Sequence, residues 1–260
     1  MLIGLEKAAG LALLLTASAL GTSAHAGLRE HFKGRYGAIE IYDASAKLSF
    51  RVNPPHLTHA LPVCGLENVV IAAAALEHGI IKHRSTKLTW DTLKYPAEAS
   101  WPSSWQTDQA LSQAFFRGTP WYFAELRARV GEPALAVTLQ KLAFSKPGAL
   151  PASVRTSSSL ALVEWFKRLQ LATLPLAPST QLALQSALRR ERVENKKLYS
   201  LGARCQLDEQ KFMTWSVGYV LGNKAPVYYV LTAQGKSMAD LAKVGPRLRD
   251  AALAELHYFP

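Results

Sequence analysis

The stretch Leu61–Glu67 (LPVCGLE) runs through Asn68 into Val69–Glu77 (VVIAAAALE), and its reading decides the fold. Residues 69–77 are apolar on nearly every side, and Gly79 supplies a stop. A helix with no polar face cannot sit at a surface, so it belongs at the centre of a domain. Outward from it the chain divides into three parts. Upstream, Gly37–Asp43 (GAIEIYD) reads as a strand, a turn follows at 43–46, and Lys47–Val52 (KLSFRV) reads as its alternating partner. Downstream, helical patterns at about 109–130, 133–142, 158–171 and 179–195 are joined by connections such as 145–148 (SKPG). Strand signals then return at 197–205, 212–221 and 225–232, the last two joined at Gly222-Asn223, a strong turn pair. An amphipathic helix over roughly 239–256 closes the chain.

Strands at both ends with helices between them predict an α+β fold. One mostly antiparallel sheet is built from the N- and C-terminal strands and flanked by helices, with an inserted helical lobe at about 85–195.

The 260 residues are 49% hydrophobic and 19% charged, with two cysteines, which excludes disorder and a disulfide-dense miniprotein. Lys7 precedes an apolar run at 8–20, and Ala24-His25-Ala26 carries the small-x-small pattern of a signal peptidase site. Cleavage is expected after Ala26, leaving a single domain at 27–260 that is periplasmic or secreted and has no transmembrane segment. The net charge of +11 favours anionic surfaces; with export, the expected partner is an envelope component rather than nucleic acid. No cofactor and no metal are expected.

In their order, Ile41-Tyr42-Asp43, Leu61-Pro62, Ala75–Ile81, Leu88–Asp91, Trp105, Val130-Gly131-Glu132 and Trp215–Gly218 resemble the class D β-lactamases, the oxacillinase-like branch of the penicillin-binding protein and serine β-lactamase superfamily. The resemblance runs from about Leu28 to the C-terminus and implies a β-lactamase/transpeptidase-like fold. It also implies a serine at the central helix N-terminus with a lysine one turn later. Here those positions hold Cys64 and Glu67. The second motif falls at Gly118-Thr119-Pro120 and lacks the shuttle hydroxyl; the third falls at Ser200-Leu201-Gly202, followed by Ala203, and keeps only its glycine. No Ser-x-x-Lys, Ser-x-Val, Ser-x-Asn or Lys-Thr-Gly occurs anywhere in the chain. The carboxylate-binding arginine of the last helix has Arg247, Arg249 and, by register, Lys243 as candidates.

These losses predict a protein without serine acylation chemistry that binds rather than cleaves, its ligand a peptidoglycan fragment or a β-lactam-like small molecule. The alternative is a hydrolase or acyltransferase that uses Cys64 on a lactam, amide, lactone or thioester. Cys64 itself has three readings: an inert thiol, a thiolate nucleophile favoured by the helix terminus, or half of a disulfide with Cys205. The expectation is two free thiols, with Cys64 slow to react because Glu67 opposes its ionisation. Glu67 is expected to be a solvated or hydrogen-bonded carboxylate in an idle cleft, the alternative being a general base; were it buried beside Cys64 without a cation, its ionised form would be costly. Trp101, Trp105, Trp121 and Tyr122 are expected in the core, and the basic residues at 189–192 and 196–197 on a solvated helix face.

Overall fold

A computed structural model describes residues 27–147 and 155–260. The expected signal peptide and Gly148 lie outside the described residues.

Six strands form the main sheet: β1 (Gly37–Asp43), β2 (Leu48–Val52), β3 (Arg189–Val193), β4 (Lys196–Asp208), β5 (Lys211–Leu221) and β6 (Val227–Gly235). Their order is β2-β1-β6-β5-β4-β3, and every pairing is antiparallel. The chain ends therefore meet at β1 and β6, where Gly37 pairs with Ala233 and Asp43 with Val227. The β1–β2 turn is closed by Asp43, whose Oδ1 accepts from Ser45 N, Ser45 Oγ and Ala46 N. Its Oδ2 accepts from the Tyr258 hydroxyl at 2.8 Å, tying the C-terminus to the first hairpin.

The sheet is covered on both faces, which is why β5 and β6 read as almost continuous apolar runs. Tyr228 and Val230 point into a core shared with the central helix α1 (Asn68–Glu77). Tyr229, Leu231 and Ala233, one residue out of phase, point into a second core with Leu241, Val244 and Leu248 of the last helix. Every residue from Val69 to Ala75 is buried, as the missing polar face required.

The lobe consists of α2 (Leu111–Arg117), α3 (Pro120–Val130), α4 (Glu132–Leu142), α5 (Ser159–Gln170) and α6 (Pro178–Leu188), and α7 (Met238–Glu255) closes the fold. Three local expectations are corrected. The pattern at 109–130 is two helices, because Gly118 ends the first in a left-handed conformation (φ 67°) and Pro120 starts the second. The pattern at 179–195 leaves the helix at Leu188: Arg189–Val193 extends as an edge strand that folds back on Lys196–Tyr199, with Glu194 at φ 52° in the turn. The link between β5 and β6 is longer than the Gly222-Asn223 pair and occupies 222–226.

Candidate functional site

Cys64 does not start the central helix. It opens a 3-10 turn, Cys64–Glu67, that leads into α1, and its φ is 52°. The turn is anchored from two sides. Trp215, fully buried on β5, donates its indole N–H to the carbonyl of Pro62 at 2.8 Å. Leu61–Pro62 pairs with Arg155–Ser157, and that short strand pairs with Lys146–Pro147. On its remaining side the turn packs against β4, where Cys64 forms a disulfide with Cys205 across a Cα separation of 5.4 Å. The expectation of two free thiols is thereby overturned. The sheet pairs Met213 with Cys205 and brings β4 against the turn, placing the two cysteines of the chain together.

Glu67 is hydrogen-bonded and has a cation beside it. Arg155 Nε lies 3.1 Å from its Oε1, and the Ser145 hydroxyl donates to the same oxygen at 3.2 Å. Arg155 also donates to Ser145 Oγ and to the Ser145 carbonyl. Burial nevertheless dominates and pushes the Glu67 carboxyl above its ordinary range, against the downward pull of Ser145, Arg155 and Arg127. A folded-state pKa above the unfolded value means that the proton favours the fold. The contribution is complete below about 4.5, the ordinary value, and is lost as pH rises through the folded pKa. Glu67→Gln keeps an acceptor for Arg155 and Ser145 but cannot ionise. Its melting temperature is expected to match wild type near pH 4 and to exceed it at pH 8, where the stability gained is no more than about 1 kcal/mol at this partly exposed position. A lower melting temperature for the variant at pH 8 would show that the ion pair outweighs the burial.

The period of β4 divides the remaining expected site residues. Leu201 belongs to the core on the α1 side, and Ala203 and Cys205 pack against it. Ser200, Gly202 and Arg204, out of phase with them, line a cavity of about 390 Å³ with Pro246 and Arg249 of α7. Ala203 reaches this cavity at its margin, and Gly118 closes it from the lobe. Gly118 lacks the side chain that a proton shuttle would need, and Thr119 is completely buried behind it, its hydroxyl without a partner among the described residues. Cys64, Glu67, Thr119 and Leu201 thus do not line the cavity, whereas Gly118, Ser200, Gly202 and Ala203 do. Beyond Tyr199 the outer edge of β4 has no strand partner among the described residues, because β3 pairs only with residues 196–199.

Ser200 and Leu201 stand where the resemblance implies a cation and a hydroxyl, and the structure brings an arginine of the last helix to Ser200. Ser200 is buried, and its hydroxyl accepts from Arg249 Nη1 at 3.2 Å. Of the three candidates on the last helix, Arg249 alone turns inward; Lys243 and Arg247 are exposed. Arg190 on β3 donates through Nε to the Ser200 carbonyl and through Nη2 to the Phe115 carbonyl, both at 2.8 Å. The basic run is therefore not a solvated helix face. Sequence reasoning missed Arg190, Arg155 and Ser145, none of which carries a local signal. Trp121 and Tyr122 are core residues, and Trp105 spends its indole N–H on the Arg117 carbonyl, as structural aromatics would.

The penicillin binding protein transpeptidase domain matches residues 69–183. The regulatory protein BlaR1 of Bacillus licheniformis is 23% identical over 209 residues, covering 78% of this chain and 34% of its own length. The chain thus spans about a third of that relative. Among solved structures, a class D β-lactamase from Nostoc superposes with a TM-score of 0.78 at 21% identity, covering 88% of this chain and 98% of that one. The C-terminal domain of the B. licheniformis BlaR penicillin receptor gives 0.78 at 21%, covering 90% and 96%. A class D β-lactamase from Fusobacterium nucleatum gives 0.79 at 16%, covering 90% and 98%. Residues 69–183 are thus similar to a penicillin binding protein transpeptidase domain. The fold of the chain is that of the class D β-lactamases and the BlaR sensor domain, as the ordered residues of the sequence implied. Among the described residues, no helix is long and apolar enough to cross a membrane.

Proposed function

We propose that this chain is an exported, non-catalytic ligand-binding protein of the β-lactamase fold, a pseudoenzyme of the periplasm or cell surface. The observation that carries the reading is the Cys64–Cys205 disulfide, which consumes the only sulfur at the nucleophile position. A disulfide sulfur has no proton to lose and cannot attack an acyl group. The supporting facts are independent of it: Glu67 stands where a lysine base would, Arg155 engages it, and Gly118 offers no shuttle. Cooperating groups of this kind act as a unit, so their joint replacement removes turnover rather than slowing it. Anion-binding groups, by contrast, persist in the cavity at Ser200 and Arg249. The BlaR domain of the same fold is described as a penicillin receptor, and a receptor for a β-lactam-like molecule or a peptidoglycan fragment is the corresponding role here. The charge of +11 and the leader-like pattern at 7–26 support placement in an anionic envelope.

The test is incubation of the protein from residue 27 onward with a chromogenic cephalosporin and a fluorescent penicillin. No hydrolysis above buffer and no covalent label are expected, while benzylpenicillin raises the melting temperature reversibly. Covalent labelling that appears only after a reductant, and that Cys64→Ala abolishes, would establish instead the cysteine hydrolase or acyltransferase. Under that reading the bridge is a removable cap.

A further inference from the structure

A second cavity, with a volume of about 60 Å³, lies at the helical turn Pro54–Thr58 and shares no lining residue with the cavity at Ser200. Its polar groups arrive from three places. The turn presents His56, and its cap residue His59 lies three positions on, so both imidazoles fall on one side of it. β5 contributes Met213, only 1% exposed, and β6 contributes Thr232 and Gln234, the latter directly opposite Met213. Tyr36, the residue before β1, completes the group. A space this small admits an ion or a few waters, not an organic ligand.

The geometry of the two imidazoles suits a shared ion. Their ring centroids are 5.1 Å apart with the planes at 90°. Two imidazoles that meet one tetrahedral ion through bonds of about 2.0–2.1 Å have centroids about 5 Å apart. His56 Nδ1 lies 3.0 Å from the Tyr36 hydroxyl. In the tautomer whose Nδ1–H donates to that hydroxyl, the ring is oriented and Nε2 keeps its lone pair, which is how ligating histidines are commonly held. His56 Nε2 and both ring nitrogens of His59 have no hydrogen-bond partner among the described residues.

The donor set selects the ion. Among the described residues no three His, Cys, Asp or Glu come together as ligands, so the third donor here is of another kind, the buried Met213 thioether. No acid lines the cavity among the described residues, and nothing offsets a divalent charge. Cys205 pairs with Met213 across the sheet, but the bridge to Cys64 leaves it no thiolate to offer. Two neutral imidazoles and a thioether form a soft, uncharged set that favours Cu(I). The sequence gave no sign of it, because the thioether arrives from a distant strand.

We propose that His56, His59 and Met213 form a Cu(I) site, with Tyr36 orienting His56. Met213 sets the preference for a soft ion, since the histidines alone would serve Zn²⁺ as well. The site is independent of the ligand-binding role proposed for the Ser200 cavity.

Ag⁺, a redox-inert stand-in for Cu(I), is titrated calorimetrically in chloride-free buffer into the protein from residue 27 onward, its bridge verified by intact mass. Cu(I) affinity is measured by competition with bicinchoninate under ascorbate. A single equivalent of either ion is expected to bind, at least about a hundredfold more tightly than Zn²⁺. Met213→Leu, which conserves volume, should weaken Ag⁺ and Cu(I) by at least about tenfold and leave Zn²⁺ within about threefold. His59→Gln should weaken all three ions, and Tyr36→Phe should weaken Ag⁺ by about tenfold. In methyl-labelled protein Ag⁺ should shift the Met213 signal and leave that of exposed Met238 in place. If Met213→Leu does not fold, the methyl shift and the wild-type ratio of Ag⁺ to Zn²⁺ decide alone. Ag⁺ binding that Met213→Leu leaves unchanged overturns the site, as does a preference for Zn²⁺. Several equal sites that no single histidine variant removes would overturn it as adventitious binding to surface imidazoles. Each of these failures leaves the receptor reading standing, because benzylpenicillin tests that reading at the other cavity.

Discussion

Breaking the Cys64–Cys205 bridge lowers the melting temperature by about 5–15 °C, the largest stability effect expected of any change near the site. The bridge joins residues 141 apart, and in the chain-entropy account a closed loop of that size restricts the unfolded state by up to about 5 kcal/mol. Native disulfides commonly deliver about 2–5 kcal/mol, and at this domain size each kcal/mol corresponds to about 2–4 °C. Cys64→Ala/Cys205→Ala is the direct test, with a reductant titration of wild type beside it. The backbone adds a second, smaller expectation. Cys64 has φ 52°, a left-handed conformation that costs a residue with a Cβ about 1 kcal/mol or more. Cys64→Gly/Cys205→Ala should therefore be the more stable of the two bridge-free variants. The oxidised protein should take up no alkylating reagent before reduction and should weigh less than the reduced form by two thiol hydrogens. A wild-type melting temperature unchanged by a reductant that demonstrably exposes both thiols would show that β4 holds the Cys64–Glu67 turn without the bridge.

Cys64→Ser/Glu67→Lys, the pair of substitutions that restores the superfamily's nucleophile and base, is expected to leave cephalosporin hydrolysis indistinguishable from a Cys64→Ala control. Two features of the structure impose this. Gly118 stands at the shuttle position with a left-handed backbone, so the general acid that assists departure of the leaving nitrogen is absent, a loss of about 10²–10⁴ in rate. The introduced ammonium would also replace a carboxylate that lies 3.1 Å from the Arg155 guanidinium, putting two cations in a partly buried site. Adding Arg155→Ala should relieve that repulsion and recover stability without recovering turnover. The assay is a chromogenic cephalosporin at saturating concentration with the folded state verified in parallel. A rise of more than about a hundredfold over the Cys64→Ala control in the double variant would show that a shuttle other than residue 118 is in place.

The amino-acid sequence determined by itself those features that depend on local pattern. An apolar segment with no polar face at 69–75 has to be interior, because unbalanced burial on all sides admits no other position. The period-two runs at 37–43 and 48–52, with a turn between them, could hardly be anything but a hairpin. That Cys64, Glu67, Gly118 and Ser200 stand where the resemblance implies other residues was readable without coordinates, and it is the ground of the proposed loss of acylation chemistry. The boundaries that failed were those where a short-range pattern met a tertiary demand. Arg189–Val193 reads as the end of a helix, yet pairing with Lys196–Tyr199 supplies backbone hydrogen bonds that draw it into a strand. Arg190 turns from a surface charge into a half-buried donor to Ser200 for the same reason.

The chemistry of the site was decided by contacts that no local pattern encodes. Cys64 and Cys205 lie 141 residues apart, Glu67 and Ser145 lie 78 apart, and Arg190 donates to Phe115 across 75. Periodicity reports which face of an element is buried, not which residue from elsewhere in the chain arrives against it. Whether Cys64 is thiol or disulfide, whether Glu67 stands alone or paired, and which arginines reach Ser200 were all set by where the sheet and lobe place distant side chains. The charges and the two cysteines are in the sequence; their partners are a property of the packed fold alone.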